Sequence, residues 1–169
     1  MDKRVLGPCS IFRIQTWDSE AVAPPAAEEV LGVAWPRKSG LVARGRADVI
    51  CLGPTDWLVV AVDPNPILER WLHESLEDSP FRATNVSQAL TRIEIVGPEV
   101  RDLMAKGCSL DLHPPLFPPG RSARTRFASM PIIVRCAGTF KFELIVTQSY
   151  RDYLLAWLAD AELEFETPA

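Results

Sequence analysis

The chain has 169 residues, 47% of them hydrophobic and 24% charged, and a formal net charge of -4. This is ordinary globular composition. It excludes a disordered chain, and the acidic balance argues against a nucleic-acid binder. A chain of this length forms one domain or two small lobes packed on each other. It buries about 70% of its unfolded surface, so it needs neither disulfides nor metal to fold. The apolar runs LGVAW and WLVVAV fall far short of the roughly 18–20 residues that span a bilayer, so no membrane segment is expected.

Lys3 and Arg4 precede no long apolar stretch, and Arg13 interrupts the only candidate. The start therefore reads as mature sequence rather than a signal peptide. Residues 18–40 hold Pro24, Pro25, Pro36 and Gly40 with little periodicity. The whole of 1–44 is expected to be an irregular segment, with at most a short strand or helical turn. Its part 18–40 buries little alone and is expected to lie on a partner.

From Gly45 the pattern tightens. RADVICL and WLVVAV predict two strands around the turn Gly53-Pro54-Thr55-Asp56. Asn65-Pro66 then caps and opens a helix over 66–77, with Leu68, Trp71, Leu72, Ser75 and Leu76 on its apolar side. Hairpin and helix make a first lobe, 45–80. A second lobe, 84–165, starts with ALTRIEIV, where Ile93 and Ile95 alternate with Arg92 and Glu94 as in a half-buried strand. Gly97-Pro98 opens a helix bearing Val100, Leu103 and Met104, and Gly107 is its expected stop.

The stretch LDLHPPLFPPG has four prolines and predicts a stiff extended loop, a second candidate for partner contact. RSARTRFAS and PIIVRC read as strands, Ala137-Gly138 as a tight turn, and TFKFELIV as a strand with Phe140, Phe142, Leu144 and Val146 on one face. Ser149 with Asp152 resembles a capping box for a last helix buried through Leu154, Trp157, Leu158 and Ala161. Short turns between neighbouring strands predict an α+β fold, mostly antiparallel sheets with helices packed on them, in two small lobes.

Chemistry-bearing residues are few. Cys9, Cys51, Cys108 and Cys136 are widely spaced with no CxxC pair, which disfavours a zinc or iron–sulfur site and reads as separate thiols in a cytoplasmic protein. His73 reads as a surface or half-buried helix histidine. Cys108 with His113, near Lys106 and Asp111, has the residue types of a thiolate and its base, but any helix end looks similar. Arg121, Arg124 and Arg126 concentrate positive charge, and Arg124 and Arg126 share a strand face. They suit ion pairs within or between chains, and less readily a small anion. GPEVRDLMAKG matches neither GxGxxG nor GxxxxGK, and GxSxG and HExxH are absent. No catalytic, cofactor-binding or metal-binding residue is assigned. The five tryptophans point mildly to large protein contacts.

LGPTDWLVV, VSQALTRIEIVGPEVRDLMAKGCSLDLHP, FPPGRSARTR and FELIVTQSYRDYLLAWL together resemble the gamma subunit of bacterial heterotetrameric sarcosine oxidase, over roughly residues 45–165. The resemblance implies a small non-catalytic subunit with part of the aminomethyltransferase (T-protein) folate-binding fold. It implies alpha, beta and delta subunits as partners, with FAD, FMN, NAD, zinc and tetrahydrofolate carried by those subunits and none by this chain. The implied reaction of the complex is oxidative demethylation of sarcosine to glycine, with the one-carbon unit passed to tetrahydrofolate or released as formaldehyde, and hydrogen peroxide formed. Folate-dependent iron–sulfur maintenance proteins carry a signature similar to KGC-[YF]-x-GQE. Here Lys106-Gly107-Cys108 match, but Ser109, Leu110, Asp111 and Leu112 follow, so that function is rejected. The alternatives are a gamma-like subunit of another flavin-dependent N-methyl amine oxidase or dehydrogenase, a stand-alone folate-binding module, and an enzyme using Cys108.

Overall fold

A computed structural model describes residues 1–166. Its elements in chain order are β1 (Asp2–Val5), β2 (Ser10–Thr16), α1 (Pro25–Leu31), β3 (Val42–Ala43), β4 (Asp48–Gly53), β5 (Asp56–Ala61), α2 (Pro66–Leu76), β6 (Phe81–Asn85), β7 (Leu90–Val96), α3 (Val100–Gly107), β8 (Ser122–Phe127), β9 (Met130–Gly138), β10 (Lys141–Thr147) and α4 (Arg151–Glu166). They form two compact units. One is Gly7–Ser87, and the other joins Met1–Leu6 to the chain from Gln88 onward. The fold is α+β, with one fully antiparallel five-stranded sheet in each unit.

In the unit Gly7–Ser87 the strand order is β3-β4-β5-β2-β6. The expected hairpin is β4–β5, with a bulge where Cys51 opposite Trp57 gives way to Gly53 opposite Asp56. Asn65 caps α2 through its side chain, which accepts from Leu68 N at 3.1 Å, and Pro66 takes the first turn. Leu68, Leu72 and Leu76 form the buried stripe of α2. Trp71 does not belong to it; it sits one residue round the helix and is exposed.

The expectation that 1–44 is irregular is overturned. β2 lies in the sheet between β5 and β6, and α1 covers the same unit's core with Ala27 and Leu31. The strand escaped notice because Ile11, Phe12 and Ile14 are all buried, so both faces are covered and the period-2 alternation is lost. Gly32 ends α1 in the left-handed region at φ 70°, and its N–H reaches Glu28 O at 2.8 Å, a glycine C-cap. Ala23, Leu31 and Trp35 are buried in this unit's own core, so 18–40 is not a free arm. Trp35, Trp57 and Phe81 meet at ring-centroid separations of 5.6–6.1 Å, and Trp57 Nε1 donates to Pro36 O at 2.8 Å.

In the other unit the order is β1-β7-β10-β9-β8. The core that α3 and α4 complete is built from Ile93, Ile95, Val134, Phe142 and Leu144 on the sheet, with Leu103, Met104, Leu154 and Leu158 from the helices. Four local expectations shift here. β9 runs on to Gly138, and a bulge between Lys141 and Phe142 puts the turn after it, so Phe140 is 56% exposed rather than on the buried face. Ser149 lies inside a 3-10 turn, Gln148–Tyr150, that runs directly into α4, so it does not cap that helix. Gly107 is the last residue of α3, and extended Cys108 ends the helix. The strand β7 is not half-buried, because Arg92 and Glu94 are buried along with Ile93 and Ile95.

The proline-rich loop is tied down within this unit. Leu112 and Phe117 are buried in its core. Leu116 N and Phe117 N both donate to His113 O, at 2.9 and 2.8 Å. Arg101 donates to Leu112 O, and its guanidinium lies 5.0 Å from the Phe142 ring centroid.

Candidate functional site

The residues singled out for chemistry do not converge. Cys108 is buried, forms an isolated bridge opposite Phe127, and has its Sγ 3.7 Å from Thr125 Oγ1. His113 is exposed, and its backbone N–H is fixed by Asp111 Oδ1 at 2.8 Å. The thiol thus faces a hydroxyl in a β-bridge, not an imidazole. Lys106 turns to α4, donating to Ala161 O and pairing with Glu164, both at 2.7 Å. Cys51 is also a buried thiol, and burial pushes its pKa up, against hydrogen bonds that act the other way. Such thiols are inert.

Gly107 has a clear local reason. A Cβ there would lie 2.8 Å from both Phe127 Cζ and Trp157 Cη2, whose rings pack edge to face with centroids 4.7 Å apart. The Lys-Gly-Cys run is therefore a packing motif. The lysine ties α3 to α4, the glycine admits two aromatic rings, and the cysteine closes onto β8.

Arg124 and Arg126 do share a face of β8, opposite Ile133 and Pro131. Arg126 Nη2 donates to Ser129 O at 3.0 Å. Arg124 lines a cavity of about 200 Å³ with Leu90, Ile133, Ile145 and Thr147. Arg121 lies just before the strand, and its backbone N–H bonds Pro118 O. His73 is exposed on α2 and lines a groove against β6.

The densest electrostatic constellation was not singled out in the sequence. Register places Arg4, Glu94, Glu143 and Arg135 side by side across β1, β7, β10 and β9, on the sheet face opposite the helices. Two carboxylates directly opposite each other repel. Each is matched by two cations: Glu94 by Arg4 Nη2 at 2.6 Å and by Lys141, and Glu143 by Arg92 and by Arg135 at 3.5 Å. Burial pushes the Glu94 carboxyl up, but hydrogen bonds and charge from Lys141 and Arg4 bring it net below the usual value. Glu143, Arg92 and Arg135 are all nine-tenths or more buried. An ion-pair row of this kind fixes strand register, and both of its carboxylates are engaged by cations of this same sheet. The signal was present as Arg-Ile-Glu and Lys-Phe-Glu, but partners so far apart in sequence are not readable from spacing. Among the described residues, no group of three or more His, Cys, Asp or Glu side chains is arranged to hold a metal ion. No described helix is long and apolar enough to cross a membrane.

The architecture defines the class. The structure aligns with aminomethyltransferase T of the glycine cleavage system from Bartonella henselae at TM-score 0.66 and 13% identity, covering 92% of this chain and 44% of that one. That is a likeness of fold to part of an aminomethyltransferase, and of fold alone. A closer match is a chain of heterotetrameric sarcosine oxidase from Corynebacterium sp. U-96, at TM-score 0.92 and 25% identity over 99% of this chain and 86% of that one.

The family model "Sarcosine oxidase, gamma subunit family" matches residues 17–164, and the chain belongs to that family. Sarcosine oxidase subunit gamma of Corynebacterium sp. strain U-96 is 31% identical over 137 residues, 79% of this chain and 66% of that protein. The strain P-1 protein is 29% identical over 143 residues, 83% and 70% respectively. The chain thus spans about two thirds of the length of these relatives.

Proposed function

We propose that this chain is the small, non-catalytic gamma subunit of a cytoplasmic heterotetrameric sarcosine oxidase. In this reading the complex demethylates sarcosine oxidatively to glycine, passes the one-carbon unit to tetrahydrofolate or releases it as formaldehyde, and forms hydrogen peroxide. The partners are alpha, beta and delta subunits. They hold the FAD, FMN, NAD, zinc and tetrahydrofolate, and this chain contributes no catalytic residue. The observation that carries the reading is the match to the sarcosine oxidase chain over nearly the whole length, at TM-score 0.92. The local chemistry supports it, since the buried Cys108 thiol faces Thr125 and the buried carboxylates are matched by cations.

The test is kinetic. In the assembled complex, Cys108→Ser and His113→Ala are expected to leave sarcosine-dependent peroxide formation within about twofold of wild type. A hundredfold loss of turnover in an intact complex would make this chain part of the chemistry and refute the reading. Activity on a different N-methyl amine with no sarcosine turnover would keep the subunit role and change the substrate.

A further inference from the structure

The strand β6 is the outer strand of its sheet, paired only with β2. Its register fixes which backbone groups are used inside the sheet. Val86 N donates to Ile11 O, and Arg13 faces Thr84 two residues on, so the alternation of an antiparallel ladder turns the N–H and C=O of Ala83 and Asn85 out of the sheet. Such an edge is a template for one more strand. Within Phe81–Asn85 there is no proline, no bulge and no lysine; the one charge is Arg82, whose Nη1 donates to Ser79 O and Phe81 O at 3.1 and 2.7 Å and leaves Ala83 and Asn85 as the open part of the edge.

Beside this edge runs a groove of about 460 Å³ between β6 and the last turns of α2. Its floor is apolar, with the fully buried Phe81 and Leu76, and Ala83 between edge and groove. Its α2 side carries exposed Glu74 and the cap residue Glu77 beside His73, where the helix C-terminus adds partial negative charge, and its β6 side carries Arg82, already engaged by backbone carbonyls. Glu74 pairs with Arg70 across an exposed contact of 3.5 Å. Arg82 points its guanidinium at the ring of Trp17, 5.4 Å from the centroid, and Trp17 is 72% exposed. An apolar floor bordered on the helix side by Glu74 and Glu77 suits a long side chain with an aliphatic stem and a cationic head. A bare indole stacked under an arginine is the composition of an interface core.

We propose that the β6 edge is a docking seat for an extended segment of a partner subunit, which adds a sixth strand to this sheet and lays a Lys or Arg side chain in the α2–β6 groove. The proposal rests on the subunit reading above and names the surface it uses. Main-chain bonds to Ala83 and Asn85 supply the affinity of such strand addition, and the groove supplies the selectivity.

Ala83→Pro removes an outward N–H while leaving every bond to β2 in place, which an edge strand tolerates. Glu74→Lys with Glu77→Lys reverses the rim on exposed helix positions and does not touch the core. Each tagged variant is produced together with its native partner subunits, and the amount of larger subunit retained is measured, with thermal melting of the variant chain as the fold control. Both variants are expected to retain at least tenfold less partner than wild type. Wild-type retention in the charge-reversed pair overturns the proposal, even where Ala83→Pro proves unfolded. A wild-type dimer of this chain that Ala83→Pro abolishes makes a second copy the occupant and overturns the partner assignment. If the wild-type chain retains no larger subunit at all, the subunit reading itself fails, and this surface falls with it.

Discussion

Gly107→Ala isolates the packing role of the Lys-Gly-Cys run. The new methyl would sit 2.8 Å from Phe127 Cζ and 2.8 Å from Trp157 Cη2, where ordinary carbon contacts begin near 3.4 Å. Both rings, or the backbone that carries the methyl, must therefore move by roughly 0.6 Å against an interior at crystal-like density. Phe127 is fully buried, so it has no solvent side to yield into. Overpacking of this kind costs about 1–3 kcal/mol. Replacing a helical glycine by alanine returns at most about 1 kcal/mol, less at a last helical residue. The net expectation is about 1–2 kcal/mol of destabilisation. For a chain of this length that lowers Tm by about 2–8 °C. Differential scanning calorimetry against Gly53→Ala provides the comparison, since a Cβ at Gly53 meets nothing within 4 Å. An unchanged or raised Tm for Gly107→Ala would refute the steric account and return Gly107 to the role of a simple helix stop.

Other substitutions probe the charge row. Glu143→Ala withdraws the carboxylate shared by Arg92 and Arg135, both nine-tenths or more buried, and is expected to cost about 3–5 kcal/mol in denaturant unfolding. A loss under 1 kcal/mol would mean that solvent or other partners already neutralise those guanidiniums. Glu94 is a pH probe. Its carboxyl titrates below its ordinary value in the folded chain, so its contribution is fully present above the unfolded value of about 4.3 and fades as pH falls through the lower folded value. Glu94→Gln is therefore expected to be less stable than wild type at pH 7, with the gap closing in acid. A gap that stays constant from pH 7 to pH 3 would show that the pairing with Arg4 and Lys141 does not carry the effect.

What the sequence made legible was local. The β4–β5 hairpin, the Asn65-Pro66 start of α2 and its leucine stripe follow from turn chemistry and period, which need only neighbouring residues. The strand β2 was missed because burial of Ile11 on one face and Phe12 and Ile14 on the other erases alternation. The strand β6 was missed because an edge strand with exposed Arg82, Thr84 and Asn85 has too little apolar content to register. Phe140 shows the limit of face assignment by parity, since one bulge at Lys141–Phe142 moved the turn and left the ring outside. The row Arg4–Glu94–Glu143–Arg135, exposed at Arg4 and buried at the other three, joins strands far apart in the chain, and no spacing rule reaches that far. For the same reason Arg92 and Glu94 read as a solvent face, although Arg92 pairs with Glu143 out of water and Glu94 is buried under the partly exposed Lys141 and Arg4.

Affinity purification of the tagged chain from its native host, with visible spectrum and subunit masses recorded on the same eluate, tests the central claim most directly. The account predicts a yellow complex that contains this chain with larger subunits and forms peroxide from sarcosine. A colourless eluate containing only this chain would contradict it.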